Sequence, residues 1–322
     1  MTVAEPLGIV SVVVPVYNSA GTLEVLVDRI QRALDGHGHE IVLVNDGSTD
    51  ASWEHVLRLA SERPEVRGLD LARNFGQHNA LLAGIRAARG EIVVTLDDDL
   101  QNPPEEIPRL LERLDEGYDV VYGSPIVRRH KYWRNGGARL VRYSLRSSMG
   151  DIAASVSPFR ALRTPLRDAF ASFDGPYVSI DVLLSWATSR FSSVVVAHAE
   201  RAAGPSTYSF SKLASLALTI LTGFSTRPLR LASLLGLVST FFGFVVLVYV
   251  IVRLIFEGNP VPGFPFLAAM IAIFSGAQLL ALGIFGEYLG RIHVRTMDRP
   301  AYAIRQEVGP AGAESGEQAA RS

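Results

Sequence analysis

The chain has 322 residues, 31 Lys and Arg against 32 Asp and Glu, a formal net charge of -1 and no cysteine. That length suits one large or two ordinary domains. The missing cysteine excludes a disulfide scaffold, a thiolate nucleophile, an iron–sulfur cluster and a cysteine zinc site. Charge balance this close to neutral argues against nucleic acid as a partner, whereas 48% hydrophobic residues and a mean hydropathy of +0.22 point to a chain partly in lipid.

At the amino end no basic region precedes an apolar run and no cleavage pattern follows, so no signal peptide is expected. Short apolar runs at 9–16, 41–44, 66–71, 92–96 and 120–122 predict buried strands, and helical patterns at 22–34, 52–61, 77–88 and 105–116 predict the helices between them. This rhythm predicts an α/β, Rossmann-like domain over 1–208, with a mostly parallel sheet and helices on both faces. Ligands bind such sheets beyond the strand carboxyl ends. Here those ends carry Tyr17 and Asn18, Asp46 and Gly47, Arg73 and Asn74, and Asp97, Asp98 and Asp99. The first strand runs into PVYNSAGTL with one glycine, Gly21, so neither a dinucleotide fingerprint nor a Walker lysine loop is present.

Three successive carboxylates at a strand end repel one another, and a divalent cation would compensate them. Oxygen ligands favour Mg2+ or Mn2+ over zinc. The competing reading is a solvated acidic turn capping the helix near Pro104; the position after an apolar strand favours the metal. Ser48, Thr49 and Asp50 can likewise cap the helix near Ser52, which leaves Asp46 facing the cleft.

Between Asp119 and Asp151 the chain carries Arg128, Arg129, Lys131, Arg134, Arg139, Arg142 and Arg146 with no acidic residue, interleaved with Tyr132, Trp133 and Tyr143. This suits the headgroup level of a membrane; RNA is the competing partner for such a run. Further on, 209–228 reads either as an interfacial amphipathic segment or as an ordinary core helix. The stretches 231–252 and 261–286 are uncharged, and each exceeds the roughly 20 residues needed to cross a bilayer core. Two buried core helices are the alternative. Gly258, Pro260, Pro262, Gly263 and Pro265 make the link a turn, so a two-helix transmembrane hairpin over 229–288 is expected. Lys212, Arg227 and Arg230 precede it and Arg291, Arg295 and Arg299 follow it, which predicts a multi-pass protein of the cytoplasmic membrane with both termini and the large domain cytosolic. The remainder, 289–322, ends in a Gly-, Ala-, Glu- and Ser-rich tail expected to be disordered.

PVYN at 15–18, VNDGSTD at 44–50, LARNFGQHNALLAG at 71–84 and LDDDLQNPPEEIPRLLERLDEGYDVV at 96–121 resemble the ordered motifs of the inverting glycosyltransferases of family two, which have a GT-A fold. GPSTYSFSKL, PLRLASLLG and GAQLLALGIFGEYLGRIHV extend the likeness to the polyprenyl-phosphate glycosyltransferases, the branch that includes undecaprenyl-phosphate aminoarabinose transferases and bactoprenol glucosyltransferases. The resemblance implies transfer of one sugar from a nucleotide diphosphate, UDP in many relatives, to undecaprenyl or another polyprenyl phosphate for a cell-envelope glycan or lipid. It also implies a homo-oligomer, often a tetramer.

By the same resemblance, Pro15, Tyr17, Asn18 and Asp46 hold the nucleotide. Asp97 and Asp99 match the DxD, in which the last aspartate binds the metal and the first supports the sugar or nucleotide, so both are counted at the metal; Asp98 holds the variable middle place. Arg73, Asn74, Gln77 and His78 line the donor pocket, with His78 either a general base or a structural hydrogen-bonding group, and Gln101 lies within reach of the donor sugar. Arg128, Arg129, Arg201, Ser206, Tyr208 and Lys212 are the residues expected at the acceptor phosphate and lipid. Two departures stand out: Ser157, Pro158, Phe159 and Arg160 occupy a site where many relatives place a catalytic aspartate before the FR pair, and Thr207 replaces a frequent lysine. Asp151 is therefore nominated as base or acceptor-positioning group. A polyprenyl phosphate, mostly dianionic near neutral pH, needs no proton removed to attack. A non-catalytic nucleotide-sugar-binding scaffold and a chain-extending polysaccharide synthase are the alternatives; the latter lacks its QxxRW-like element.

Overall fold

The computed structural model describes residues 8–125, 155–173, 179–197, 227–257, 263–297 and 300–310. The chain divides into two compact units, Met1–Thr207 with Asp298–Ser322, and Tyr208–Met297.

The first unit is built on VSVVVPV, Val10–Val16 (β1), a β-branched run buried at every position. It lies parallel between β2 (His39–Asn45) and β4 (Ile92–Thr95), and β3 (Val66–Leu71) extends the sheet beyond β2. Strands covered on both faces read as apolar runs, which makes β1, β2 and β4 legible, while β3, VRGLDL, keeps only Val66, Leu69 and Leu71 as its signal. Helix α1 (Leu23–Ala33) buries Leu23, Leu26, Val27 and Ile30, one stripe at helical spacing. Helices α2 (Ser52–Glu62), α3 (Gln77–Ala87) and α4 (Ile107–Asp115) complete the wound layers, the last after a 3-10 turn started by Pro104. Gly84 lets α3 sit on the sheet: a Cβ there would lie 2.3 Å from Val13 Cγ1.

The remaining strands change the sheet from the expected pattern. β5 (Val120–Pro125) is followed by β6 (Arg160–Arg163), which is antiparallel to both β4 and β5, and then by α5 (Ile180–Ala187) and β7 (Phe191–Val196), parallel to β5. β8 (Ile304–Val308) closes the other edge, antiparallel to β3. The order is β7-β5-β6-β4-β1-β2-β3-β8: a mixed α/β sheet, mostly parallel, with two strands, RALR and IRQEV, whose arginines hide them from an apolar-run reading.

In the second unit α6 (Arg227–Glu257) and α7 (Gly263–Thr296) pack against each other, and a Cβ on Gly243 would lie 2.8 Å from Phe274 Cζ. Leu237, Phe241 and Phe244 on α6 and Leu279 and Leu282 on α7 are exposed. Among the described residues one segment, Ala232–Tyr249, is long and apolar enough to cross a membrane, so the expectation of two spans is supported for α6 alone. The expected interfacial segment lies, up to residue 226, outside the described residues.

Candidate active site

At the carboxyl end of the parallel strands three loops meet. Asn18, left-handed at φ 54°, donates its amide to Ser48 Oγ at 3.0 Å and accepts the Thr49 amide on Oδ1 at 2.8 Å. This joins the β1 loop to the β2 loop. Ser19 Oγ donates to Asp98 Oδ2 at 2.5 Å, and the Tyr17 amide donates to the same oxygen at 3.1 Å, which joins the β1 loop to the β4 loop. Asp98, the middle of the acidic run, is thus a tether for the turn that presents the exposed Tyr17 ring. Pro15 is buried within β1, facing Val44 across the ladder.

Asp46 is 3% exposed and turns toward the segment leading into α3, where its two oxygens accept the Phe75 amide at 2.7 Å and the Gly76 amide at 2.8 Å. Burial pushes its carboxyl up, against those two bonds. Gly47 makes this approach possible: it sits at φ +65°, and a Cβ would stand 2.5 Å from the Asn74 nitrogen and 2.6 Å from the Arg73 carbonyl carbon. Gly47→Ala is therefore expected to destabilise the fold by about 1–3 kcal/mol, combining left-handed strain with backbone overlap. A denaturant midpoint equal to that of the parent chain would refute the close approach. Arg73 and Asn74 are exposed at this rim, the Arg73 guanidinium lying 4.5 Å from the Phe75 ring centre.

The acidic run follows β4 after the buried Leu96. Asp97 Oδ1 accepts Gln77 Nε2 at 2.6 Å, and Asp99 Oδ1 accepts the Gln101 amide at 3.1 Å across Leu100, itself left-handed at φ 61°. Asn18 and Leu100 are the positive-φ residues other than glycine among the described residues, and both border this site. Burial, then the charges of Asp99 and Asp98, raise the Asp97 carboxyl to about 6, while Arg160 and the Gln77 bond pull the other way. An ordinary aspartate titrates at 3.8. Between these values the folded chain keeps a proton that the unfolded chain has released, so this group's contribution to stability falls as pH rises from about 4 to about 6. Above that, ionised Asp97 costs on the order of 1–2 kcal/mol, allowing for its partial exposure. Asp97→Asn should accordingly melt higher than the parent at pH 7.5 in EDTA and equally at pH 4; a lower melting point at pH 7.5 would contradict the charge crowding.

His78, at the start of α3, is partly open to solvent. Burial holds its imidazole below the usual range, with Arg160 acting in the same direction and Asp181 against them. Its ring makes no hydrogen bond among the described residues. Behind it lies a buried ionic cluster. Arg160 of β6, 1% exposed, pairs through Nη1 with Asp181 of α5, and Tyr122 of β5 donates its hydroxyl to the same Asp181 oxygen at 3.0 Å. The Pro158 carbonyl accepts the Thr95 hydroxyl at 2.5 Å, so the SPFR segment is bound to the end of β4.

The model of glycosyl transferase family 2 matches residues 11–164. The undecaprenyl-phosphate 4-deoxy-4-formamido-L-arabinose transferase of Pseudomonas paraeruginosa is 42% identical over 313 residues, 94% of this chain and 91% of that one. The enzyme of the same name from Yersinia enterocolitica is 38% identical over 99% of both chains. The chain belongs to glycosyltransferase family 2. A crystal structure of glucosyl-3-phosphoglycerate synthase from Mycobacterium tuberculosis, in complex with Mn2+, UDP and glucosyl-3-phosphoglycerate, matches with a TM-score of 0.50 at 21% identity, over 67% of this chain and 78% of that one. That likeness gives this glycosyltransferase the GT-A-like fold.

In this family 2 enzyme the described structure thus brings Tyr17, Asn18, Arg73, Asn74, Gln77, Asp97, Asp98 and Asp99 to one rim, whereas Asp46, expected to face the cleft, is buried beneath it with both oxygens held by the Phe75 and Gly76 amides. Asp151, Arg128, Arg129, Arg201, Ser206, Tyr208 and Lys212 lie outside the described residues. The sequence reading missed Asp181 and the cluster it forms. Its signal was available: a single carboxylate among buried Ile180, Val182, Leu183 and Leu184 demands a charged partner.

Proposed function

We propose that this glycosyltransferase moves one sugar from a nucleotide diphosphate, with inversion at the anomeric carbon, onto a polyprenyl phosphate at the cytoplasmic membrane face. The near full-length likeness to the Pseudomonas and Yersinia undecaprenyl-phosphate transferases carries this reading. The loops of Tyr17–Asn18 and Asp46–Ser48 would hold the nucleotide, with Arg73, Asn74 and Gln77 along the pocket. Among the described residues no three carboxylates or imidazoles converge as a complete metal shell. The oxygen donors of Asp99 and Asp97 suit a hard cation that takes its other ligands from phosphate and water. Mg2+ or Mn2+ bound there would supply positive charge for the departing diphosphate.

The phosphate acceptor arrives already ionised, so neutral His78 is not needed as its base. Arg128, Arg129, Arg201, Ser206, Tyr208 and Lys212 are assigned to the acceptor's phosphate and lipid, with Asp151 positioning it. The return of β8 to the sheet supports the hairpin: a chain that crosses a membrane through α6 must cross again before residue 304 to pair with β3. Thermal shift of the detergent-purified chain with UDP, GDP, dTDP and CDP, in Mn2+ or EDTA, tests the donor site. One nucleotide should stabilise in Mn2+ alone; stabilisation by none of them would overturn the reading.

A further inference from the structure

β8 is short and polar, and its pairing with β3 is irregular. Leu71 faces Ile304 while Asp70 faces Gln306, which leaves Arg305 as the extra residue of a bulge. Bulges re-aim side chains. Arg305 donates from Nη1 to Asp70 Oδ2 at 3.2 Å and from Nη2 to the Ala72 carbonyl at 2.5 Å. Asp70 is 3% exposed, and its other oxygen accepts Asn45 Nδ2 at 2.7 Å. With its amide nitrogen turned to that carboxylate, Asn45 presents Oδ1 to the Ser48 amide at 3.3 Å. Ser48 Oγ then accepts the Asn18 amide. An unbroken line of hydrogen bonds runs from the strand after the two long helices to the joined β1 and β2 loops.

We propose that Arg305 is a positioning residue for the donor-nucleotide loop. Its guanidinium fixes the Asp70 carboxylate, the carboxylate selects one orientation of the Asn45 amide, and that amide holds Ser48 and the turn at 46–49 against Asn18. The donor site is thereby supported by a strand made after the helices, not by the amino-terminal strands alone. The proposal rests on the reading of 46–49 as a nucleotide-binding loop. β8 has a second attachment that does not reach the loop: Arg67 Nη2 donates to Glu307 at 2.6 Å, further along the strand from the site. Glu307→Gln is thus a control for general loosening of the edge.

Two readouts on the full chain in detergent test this. Hydrogen exchange needs no ligand: Arg305→Ala should speed exchange of the 46–49 amides relative to β1, while Glu307→Gln should not. In Mn2+, Arg305→Ala should weaken binding of the nucleotide diphosphate that the parent takes up, among UDP, GDP, dTDP and CDP, by about threefold to tenfold, the scale of one ordinary, partly exposed hydrogen bond. The same variant should raise the donor KM and leave kcat, with Arg305→Lys restoring part of the affinity. Unchanged exchange at 46–49, unchanged affinity, or an equal effect of Glu307→Gln would overturn the proposal. A parent chain that binds none of the four nucleotides would overturn the donor-site reading itself, and the functional half of the proposal with it.

Discussion

Asp99→Asn should lower the turnover of sugar transfer by about a hundredfold to a thousandfold, the effect of removing a charged group from a site that stabilises developing charge. Its stability should scarcely move. Asp99 accepts one hydrogen bond, from the Gln101 amide, and an asparagine oxygen can accept the same bond. The contrast with Asp97 is the informative part: Asp97→Asn is expected to gain stability near neutral pH, because burial and two neighbouring carboxylates oppose its charge. A site selected for folding alone would not retain that crowding. If Asp99→Asn transferred sugar at the parent rate, and EDTA left that rate unchanged, the assignment of Asp99 to a cation would be wrong.

The largest loss of stability is expected at Arg160. Arg160→Met strands the Asp181 carboxylate in a site where Arg160 is 1% and Asp181 8% exposed, and breaking a buried pair in this way costs about 3–5 kcal/mol. Tyr122 cannot stand in for the lost cation, since its hydroxyl offers one proton and no charge; burial and the Asp181 charge push that phenol well above its ordinary range. Arg160→Met with Asp181→Leu should recover much of the loss, because the pair's desolvation is then removed with its attraction. Equilibrium denaturation of the parent, the single and the double variant measures this. A single variant as stable as the parent would mean that the cluster is hydrated. The same guanidinium also lowers Asp97, so its removal should raise the Asp97 carboxyl further and reduce transfer near neutral pH.

Much of the amino-terminal half was legible because its signals are local. β1, β2 and β4 are rich in Val, Ile and Leu, β3 keeps Val66, Leu69 and Leu71 as its signal, and the observed bounds of all four lie within two residues of those expected. The rim of the site was legible for a related reason: strand ends in a parallel sheet point the same way, so residues following each apolar run must meet. What Asp46 and Asp98 bond to could not be read in that way. Asp46 reaches the Phe75 and Gly76 amides and Asp98 reaches Tyr17 and Ser19, and partners so distant in sequence are brought together by the fold and not by spacing. β6, β7 and β8 were not expected; in β6 and β8 arginines find the buried carboxylates of Asp181 and Asp70, which makes polar strands tolerable inside or beside the sheet. The bulge at Arg305 has no sequence signature at all.

Transfer of one sugar to a lipid phosphate can be read by reconstituting the full chain in vesicles containing undecaprenyl phosphate, adding Mn2+ and the nucleotide sugars of the stabilising nucleotide, and analysing the extracted lipid by mass spectrometry. The expected product is a lipid heavier by one sugar residue, absent in EDTA and reduced about a hundredfold or more in Asp99→Asn. Lipid carrying a growing series of sugars, or no modified lipid with any donor that binds, would contradict it.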